Sequence, residues 1–410
     1  MSEKVVNAAL LGLGTVGTGV YKVIKSQEQE MTAKLGCQVK ITKILVRNLE
    51  KASGKVDDPS VLTTDWADIE GDPSIDIVIE LIGGIEPART YILAALKAGK
   101  NVVTANKDLI AVHGKEILET ARAAQKDFLF EAAVAGAIPI IRPMKQCLAV
   151  NDISEVVGIV NGTTNYILTK MTEEGMDFSD ALEKAQELGF AEADPTSDVE
   201  GLDAGRKVAI MASIAFHSRV VFPNVFTEGI TKITPADMEY AKELGMTIKL
   251  LATSRRIGDS FYAMVAPFLV GQSSPLYSVN DVFNAVFVHG NVLGDAMFYG
   301  SGAGKLPTAS AVVADVVDEA KHLHRNIMTN WSSYALKLMD MDEVEGRFFV
   351  RVSDTTMDEV EKAFGDVQTI EPDDLPDEFG FITPVMKQAE YYEKISKLTG
   401  KVLAMIRVKD

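Results

Sequence analysis

Five carboxylates fall within twelve residues of one stretch, LGFAEADPTSDVEGLDAGRK: Glu192, Asp194, Asp198, Glu200 and Asp203, with Arg206 and Lys207 closing it. Gly189, Pro195 and Gly201 interrupt the stretch, so its first half is expected as a loop. From Gly201 onward, LDAGRKVAIMASIAF reads as a buried helix. Asp203 and Lys207 stand four apart and so share one helix face. Acids that lead into an apolar helix suit a pocket wall for a small, positively charged substrate. A solvated acidic loop capping that helix is the plainer alternative. The spacing is not that of an EF-hand, whose alternating Asp/Asn, central Gly and distal Glu are missing.

A second constellation opens the chain. Val5 to Leu11 is a short apolar run, and Gly12-Leu-Gly14-Thr15-Val16-Gly17 follows, ahead of a helical pattern at Val20, Val23 and Ile24. A strand, a G-x-G-x-x-G turn and a helix form the context in which this motif means dinucleotide binding. Gly12 permits the tight turn, Gly14 lets backbone approach a pyrophosphate, and Gly17 lets helix pack on strand. The helix N-terminus then faces the phosphates. The next strand, Val39 to Val46, leads into Arg47-Asn48 with Lys51 and Lys55 nearby, not into the Asp or Glu that favours NAD. Arg47 there suits the 2′-phosphate of NADP; a surface arginine after a strand is the alternative.

The elements that must carry these residues alternate. Ile75 to Ile82 is a nearly continuous apolar strand, Pro87 starts a helix through Leu96, and Asn101 to Thr104 is a strand closed by Ala105-Asn106-Lys107. Lys107 stands just past the carboxyl end of a parallel strand, where open α/β sheets bind ligands. Phe128 to Glu131 continues the sheet and AAVAGAIP leads to the next helix, so the chain through about residue 145 reads as α/β, a Rossmann-type doubly wound parallel sheet. Beyond it come a strand at Asp152 to Val160, the turn Asn161-Gly-Thr-Thr-Asn165, and a helix from Tyr166. A helix near Pro235 to Leu244, strands near Thr247–Ile257 and Tyr262–Val270, and a further glycine loop, Gly300 to Lys305, suggest an α+β substrate domain. Pro307 opens a helix through Leu323. That glycine loop is either a flexible turn or a lid over the cofactor. Residues 324–345 read as a linker with helical content. Gly346 to Val352, a helix from Asp358, Ile382–Leu398 and Val402–Val408 form a small βαβ-type tail, with Asp366 to Phe379 as an acidic loop.

Composition narrows the function classes. The net charge of −17 over 410 residues argues against nucleic acid as a partner. No run of apolar residues is long enough to span a membrane, and MSEKVVNAALLG runs directly into the glycine motif as a first strand, not as a signal peptide. Cys37 and Cys147 lie far apart without metal-ligand spacing, suit a reducing cytosol, and are expected as buried small hydrophobes.

Read together, GLGTVG, TANK at Thr104 to Lys107, EAAVAGAIPI, VNGTTNYIL, LGFAEADPTSDVEGLDAGRK and GSGAGKLPTASAV resemble the homoserine dehydrogenase family over essentially the whole chain. The resemblance implies reversible NAD(P)H-dependent reduction of L-aspartate 4-semialdehyde to L-homoserine, on the path to threonine and methionine, in the cytoplasm. Lys107 and Lys207 match the family's paired lysines, which would depress each other's pKa if close and partly desolvated. Glu192, Asp198 and Asp203, with Gly189, would form the substrate site. The cofactor set would be Gly12, Gly14, Thr15, Val16, Gly17, Arg47, Lys107 and Gly302, holding NADP with NAD possible. Glu131, Val134, Gly136 and Ile138 match a loop that binds a monovalent cation, typically sodium, largely through carbonyls, Glu131 alone offering a hard side-chain oxygen. The domains implied are 1–145 for dinucleotide, completed by about 306–330; 146–305 for substrate and oligomerisation; and 346–410, resembling an ACT regulatory domain. A homodimer or homotetramer is expected. The tail departs from the ACT pattern: Asp354-Thr-Thr-Met357 stands where D-x-P-G is usual. Threonine binding is therefore not expected, and removing the tail is expected to alter solubility or oligomer size more than turnover. Two rivals stand beside this reading. A semialdehyde dehydrogenase of the same pathway would need a cysteine nucleophile, and an amino-acid sensor could keep the fold without the chemistry.

Overall fold

The computed structural model describes residues 4–323, 325–327, 329 and 331–409. Met1 to Glu3 of the expected first strand, His324, Met328 and Asn330 of the expected linker, and Asp410 of the tail lie outside the described residues. The chain divides into two compact units. The first comprises the chain up to Asp152 with Ala209–Phe222 and Gly300–Ala335; the other comprises Ile153–Val208, Pro223–Tyr299 and the chain from Leu336 on.

In the first unit, strands β1 (Lys4–Leu11), β2 (Cys37–Leu45), β3 (Leu62–Thr63), β4 (Ile77–Glu80), β5 (Asn101–Thr104) and β6 (Phe128–Leu129) make one parallel sheet in the order β3-β2-β1-β4-β5-β6. This is the doubly wound Rossmann order, with its reversal between β1 and β4. Residues of β4 and β5 are buried throughout, because helices cover both sheet faces. The helix Lys305–His322 packs Ala309, Val312 and Val316 into the same core as Val6, Leu10, Val20 and Ile24. Its backbone runs so close to the helix Thr15–Ser26 that a Cβ on Gly19 would lie 2.8 Å from the Lys305 carbonyl oxygen. Pro307, expected to open this helix, is its third residue.

The second unit centres on a long hairpin, Met246–Ile257 and Ser260–Gly271, closed by Gly258 at φ +59°. Its sheet runs Gly294–Ser301, Phe283–Gly290, Ile153–Ile159, Met246–Ile257, Ser260–Gly271, Lys401–Lys409, Glu345–Ser353, Glu378–Ile382, Gln368–Ile370. Two of these strands, Phe283–Gly290 and Gly294–Ser301, are not among the expected elements: the apolar run FNAVFVHG marks the first, whereas Gly294–Ser301 merges at Gly300 into the glycine loop it enters. Only Gly302 to Gly304 remain between strand and helix.

The tail extends the βαβ expectation. It is two interleaved split βαβ units, with helices Met357–Phe364 and Gln388–Ile395. The acidic segment Asp366 to Phe379 is not all loop, because it holds the strand Gln368–Ile370 and enters the strand Glu378–Ile382. The former is a mostly exposed edge with polar Gln368 and Thr369, so no apolar run marks it. Nor is the tail detached. Its last strand pairs in parallel with the hairpin, Phe268 with Arg407 through Val270 with Lys409. Two smaller corrections follow. The helix expected from Tyr166 starts at Gly162, because Asn161 is its cap. Cys37 is buried but Cys147 is exposed, at the end of the π-helical turn Pro143–Cys147.

Candidate active site

At the switch point of the parallel sheet, Gly12 holds φ +95° and donates its N–H to the Leu45 carbonyl at 3.0 Å. A Cβ there would lie 2.8 Å from the Leu81 carbonyl oxygen, so the turn is wedged between the ends of β2 and β4. At Gly17 a Cβ would collide with the Gly12 carbonyl, whereas at Gly14 it would meet nothing within 4 Å. Gly14 is thus the open position. It is also the N-cap of the helix Thr15–Ser26, without a side-chain cap and without an acid in the first turn. An uncapped helix start of this kind is an anion site.

A cleft of about 780 Å³ opens over this turn, lined among others by Gly12, Gly14, Arg47, Lys51, Lys55 and Tyr91. Its size is that of a cofactor pocket. Lys55 Nζ donates to the Leu13 carbonyl at 3.0 Å and so fixes a cation beside the glycine turn. Arg47 is exposed at the rim. Val16 and Gly17 lie partly and fully buried in the helix below, and Thr15 is exposed at its first position. Gly302 does not line the cleft; its carbonyl sits against Gly136.

Lys107 is the first residue of the helix Lys107–Ala124, partly buried at the carboxyl end of β5. Its approach is fixed by a buried carboxylate that the sequence pattern does not single out. Glu80, fully buried at the end of β4, accepts from Thr104 Oγ1 at 2.6 Å and from the N–H groups of Ile82 and Gly83. Asn106 caps the helix through Leu109 N–H and donates to the Gly84 carbonyl at 2.6 Å. A polar residue ending an apolar strand is the available signal.

The loop after β6 corrects the expectation for Glu131. Its carboxylate is not offered to a cation: it accepts the N–H groups of Ile140, Ile141 and Arg142 at 2.6–2.7 Å, capping a helical start. Only main-chain oxygens of Glu131, Val134, Gly136 and Ile138 remain for the cation role. Ala135 and Gly136 both hold left-handed φ, +54° and +55°. Behind this loop, burial foremost and then the neighbouring Glu131 push Asp315 up to about 7, although Arg142 bonds it at 2.5 Å. No group of three or more His, Cys, Asp or Glu side chains could hold a metal ion among the described residues.

In the second unit the acidic stretch folds as expected in its halves: loop, the short helix Thr196–Val199, then the helix Leu202–Ala215. Lys207 Nζ donates to Asp203 Oδ2 at 2.6 Å and to the Val160 carbonyl at 2.6 Å, which uses two of its three donors. Asn161 completes the cluster, although in the sequence it reads only as part of a turn. Its Oδ1 caps the helix Gly162–Glu174 through Thr164 N–H at 2.9 Å, which turns its amide group toward Asp198 at 2.7 Å and Asp203 at 2.9 Å. An Asn before G-T-T is an N-cap signal visible in the sequence. Glu192 stands apart on the exposed loop. Gly189, at φ +75°, ends the helix Phe178–Glu187 in a Schellman motif, with Phe190 N–H reaching the Ala185 carbonyl at 2.8 Å. Thr163 Oγ1 then donates to the Phe190 carbonyl and docks that turn on the cluster.

The chain compares as follows with known proteins. Residues 12–131 match the model "Homoserine dehydrogenase, NAD binding domain", and residues 139–317 match "Homoserine dehydrogenase". A homoserine dehydrogenase of Bacillus subtilis is 45% identical over 353 residues, 85% of this chain and 81% of that protein. One from Corynebacterium glutamicum is 48% identical over 350 residues, 84% and 78%. The crystal structure of a Thiobacillus denitrificans homoserine dehydrogenase superposes with a TM-score of 0.91 at 37% identity, covering 100% of this chain and 99% of that one. A hyperthermophilic archaeal homoserine dehydrogenase in complex with NADPH gives a TM-score of 0.66 at 26% identity, over 77% of this chain and 97% of that one.

Proposed function

The chain belongs to the homoserine dehydrogenase family of NAD(P)-dependent oxidoreductases, and on that premise we propose how its own residues carry the reduction of L-aspartate 4-semialdehyde to L-homoserine. The observation that carries the reading is the Asn161–Asp198–Asp203–Lys207 cluster. Lys207 is oriented by Asp203 and the Val160 carbonyl, with one donor left for a substrate oxygen. As hydride reaches the carbonyl carbon, the oxygen gains charge, and the Lys207 ammonium gives it a proton. In the reverse direction neutral Lys207 takes the hydroxyl proton. Lys107, the other lysine that matches the family's pair, is assigned a catalytic role on the same reading. Asp198 and Asp203 hold the substrate ammonium, and Glu192 and Gly189, which stand apart from that cluster, are assigned to the substrate site only through the loop they share.

Bound NADP(H) supplies or accepts the hydride. The Gly12–Gly17 turn and the open helix N-terminus take the pyrophosphate, with Thr15 and Val16 at that terminus. Arg47, backed by Lys51 and Lys55, favours a 2′-phosphate, so NADP is the better cofactor and NAD the weaker. The archaeal relative's NADPH complex supports that choice. A monovalent cation, sodium in our reading, would take the main-chain oxygens of Glu131, Val134, Gly136 and Ile138. The two left-handed residues in that loop suit such a set. We assign residues 1–145 with about 306–330 to dinucleotide binding, 146–305 to substrate binding and oligomerisation as a homodimer or homotetramer, and 346–410 to an ACT-like module. The product would feed threonine and methionine synthesis in the cytoplasm; no helix among the described residues is long and apolar enough to cross a membrane. Initial rates with L-homoserine against NADP and NAD test this. NADP-coupled turnover with the lower KM is expected, and absence of homoserine-dependent reduction of either cofactor would refute it.

A further inference from the structure

Asp198 and Asp203 bracket a short segment, Val199 to Gly201, whose backbone is held from one side. Ile230 N–H donates to the Val199 carbonyl at 2.8 Å, and Thr231 Oγ1 donates to Glu200 Oε1 at 3.2 Å. Gly229 lies so close that a Cβ would stand 2.5 Å from Glu200 Cα. Gly201, at φ +77°, faces Val265 and the Glu228 carbonyl. The brace is therefore the run Glu228 to Thr231, and its own anchor lies in the tail.

Arg407 belongs to the last strand and is 5% exposed. Its Nη1 donates to Glu228 Oε2 at 2.7 Å, its Nη2 donates to Gln388 Oε1 at 2.7 Å, and its guanidinium lies 4.9 Å from the Phe226 ring centroid. Phe226 and Thr227 pair with Met264 and Val265 of the hairpin, and Glu228 N–H continues to the Val265 carbonyl at 2.8 Å. One buried cation thus pins both the strand before the brace and the acid that opens it.

We propose that Arg407 is a positioning residue for the substrate site. Through Glu228 it sets the backbone of Val199 to Gly201, and with it the separation of the Asp198 and Asp203 carboxylates. This rests on the reading of that cluster as the homoserine site. The tail is then part of the substrate machinery, and its removal is not neutral for turnover. Glu228, with its side chain 29% exposed, can turn to solvent when unpaired, so losing Arg407 should relax the brace more than it unfolds the unit.

The test is steady-state kinetics of the full-length protein with R407M, R407K, E228Q and D203N. R407M is expected to raise the homoserine KM about three- to tenfold, the coupling usual between contacting residues, with the NADP KM unchanged. R407K should recover part of the loss. E228Q, which keeps the shape and the Arg407–Gln388 bond, should shift the same KM in the same direction by less, and it decides the matter if R407M is insoluble. A homoserine KM that stays at its wild-type value in R407M or E228Q, while D203N is impaired, would overturn this inference alone. Equal changes in both KM values, or a fall in kcat alone tracking a lower Tm, would reduce Arg407 to a structural residue and overturn it too. Wild-type kinetics in D203N would remove the site reading and this inference with it.

Discussion

Asn161→Asp keeps the size and the helix cap of this side chain but turns a donor into an acceptor. The oxygen bonded to Thr164 N–H is retained, so the capping contribution of about 1 kcal/mol is not at stake. What changes lies on the other side, where the amide donates to Asp198 at 2.7 Å and Asp203 at 2.9 Å. Hydrogen bonds to charged groups contribute about 1.5–3 kcal/mol each; the Asp203 bond counts in full, since that side chain is 8% exposed, and the partly exposed Asp198 bond counts less. A third carboxylate at such distances adds about 6 kcal/mol of repulsion per pair at an effective dielectric of 20. Placing a proton on an ordinary carboxyl at pH 7 costs about 4 kcal/mol, so proton uptake wins over triple ionisation. A stability deficit of about 3–5 kcal/mol at pH 7 is expected. The added carboxyl has its folded pKa above its unfolded one, so the folded variant binds more protons. The deficit is therefore small below about pH 4 and grows as pH rises toward the folded pKa, levelling off above it. Urea denaturation of both proteins at several pH values reads this directly. A pH-independent deficit under about 1 kcal/mol would refute the bridging role of Asn161.

Arg47→Asp should weaken NADP relative to NAD by roughly 10²-fold, because a phosphate partner is replaced by a like charge; equal changes in both KM values would put Arg47 away from the ribose. Millimolar threonine should leave activity intact. Asp354, not a glycine, takes the left-handed position at φ +55°, and the β-branched Thr355 and Thr356 follow it; a sigmoidal loss of activity with threonine would contradict this. Lys249, 1% exposed and bonded to the Val279 carbonyl, is pulled by burial to about 8. Its folded pKa lies below its unfolded one, so its penalty is full below about pH 8 and disappears toward pH 10.5. Lys249→Met should thus change stability relative to wild type by on the order of 3 kcal/mol between those limits, and a pH-independent difference in denaturation midpoints would contradict the assignment.

The parallel sheet is legible because its strands are short apolar runs ended by glycine or polar residues, and because Gly12, Gly14 and Gly17 each answer a different steric demand. The Asp203–Lys207 pair follows from helical spacing alone. What escapes is held by long-range partners. Glu80 reads as one polar residue in a hydrophobic strand until Thr104 and the Ile82 amide converge on it. Glu131 reads as a free oxygen until three amides claim it. The tail reads as an appendage because its pairing with residues 268–270 leaves no local mark: Arg407 and Lys409 resemble solvated charges ending an edge strand, yet their partners are Glu228 and Glu155. The Gln368–Ile370 strand has no hydrophobic face to reveal it.

In the proposed mechanism Lys207, oriented by Asp203 and the Val160 carbonyl, handles the proton of the hydride-transfer step. Single-turnover reduction of NADP by L-homoserine with wild type and Lys207→Met tests it most directly. The hydride step should slow by roughly 10²–10⁴ in the variant, with NADP affinity retained, measured at a temperature where the less stable variant is still folded. A folded Lys207→Met protein that transfers hydride at near the wild-type rate would contradict it.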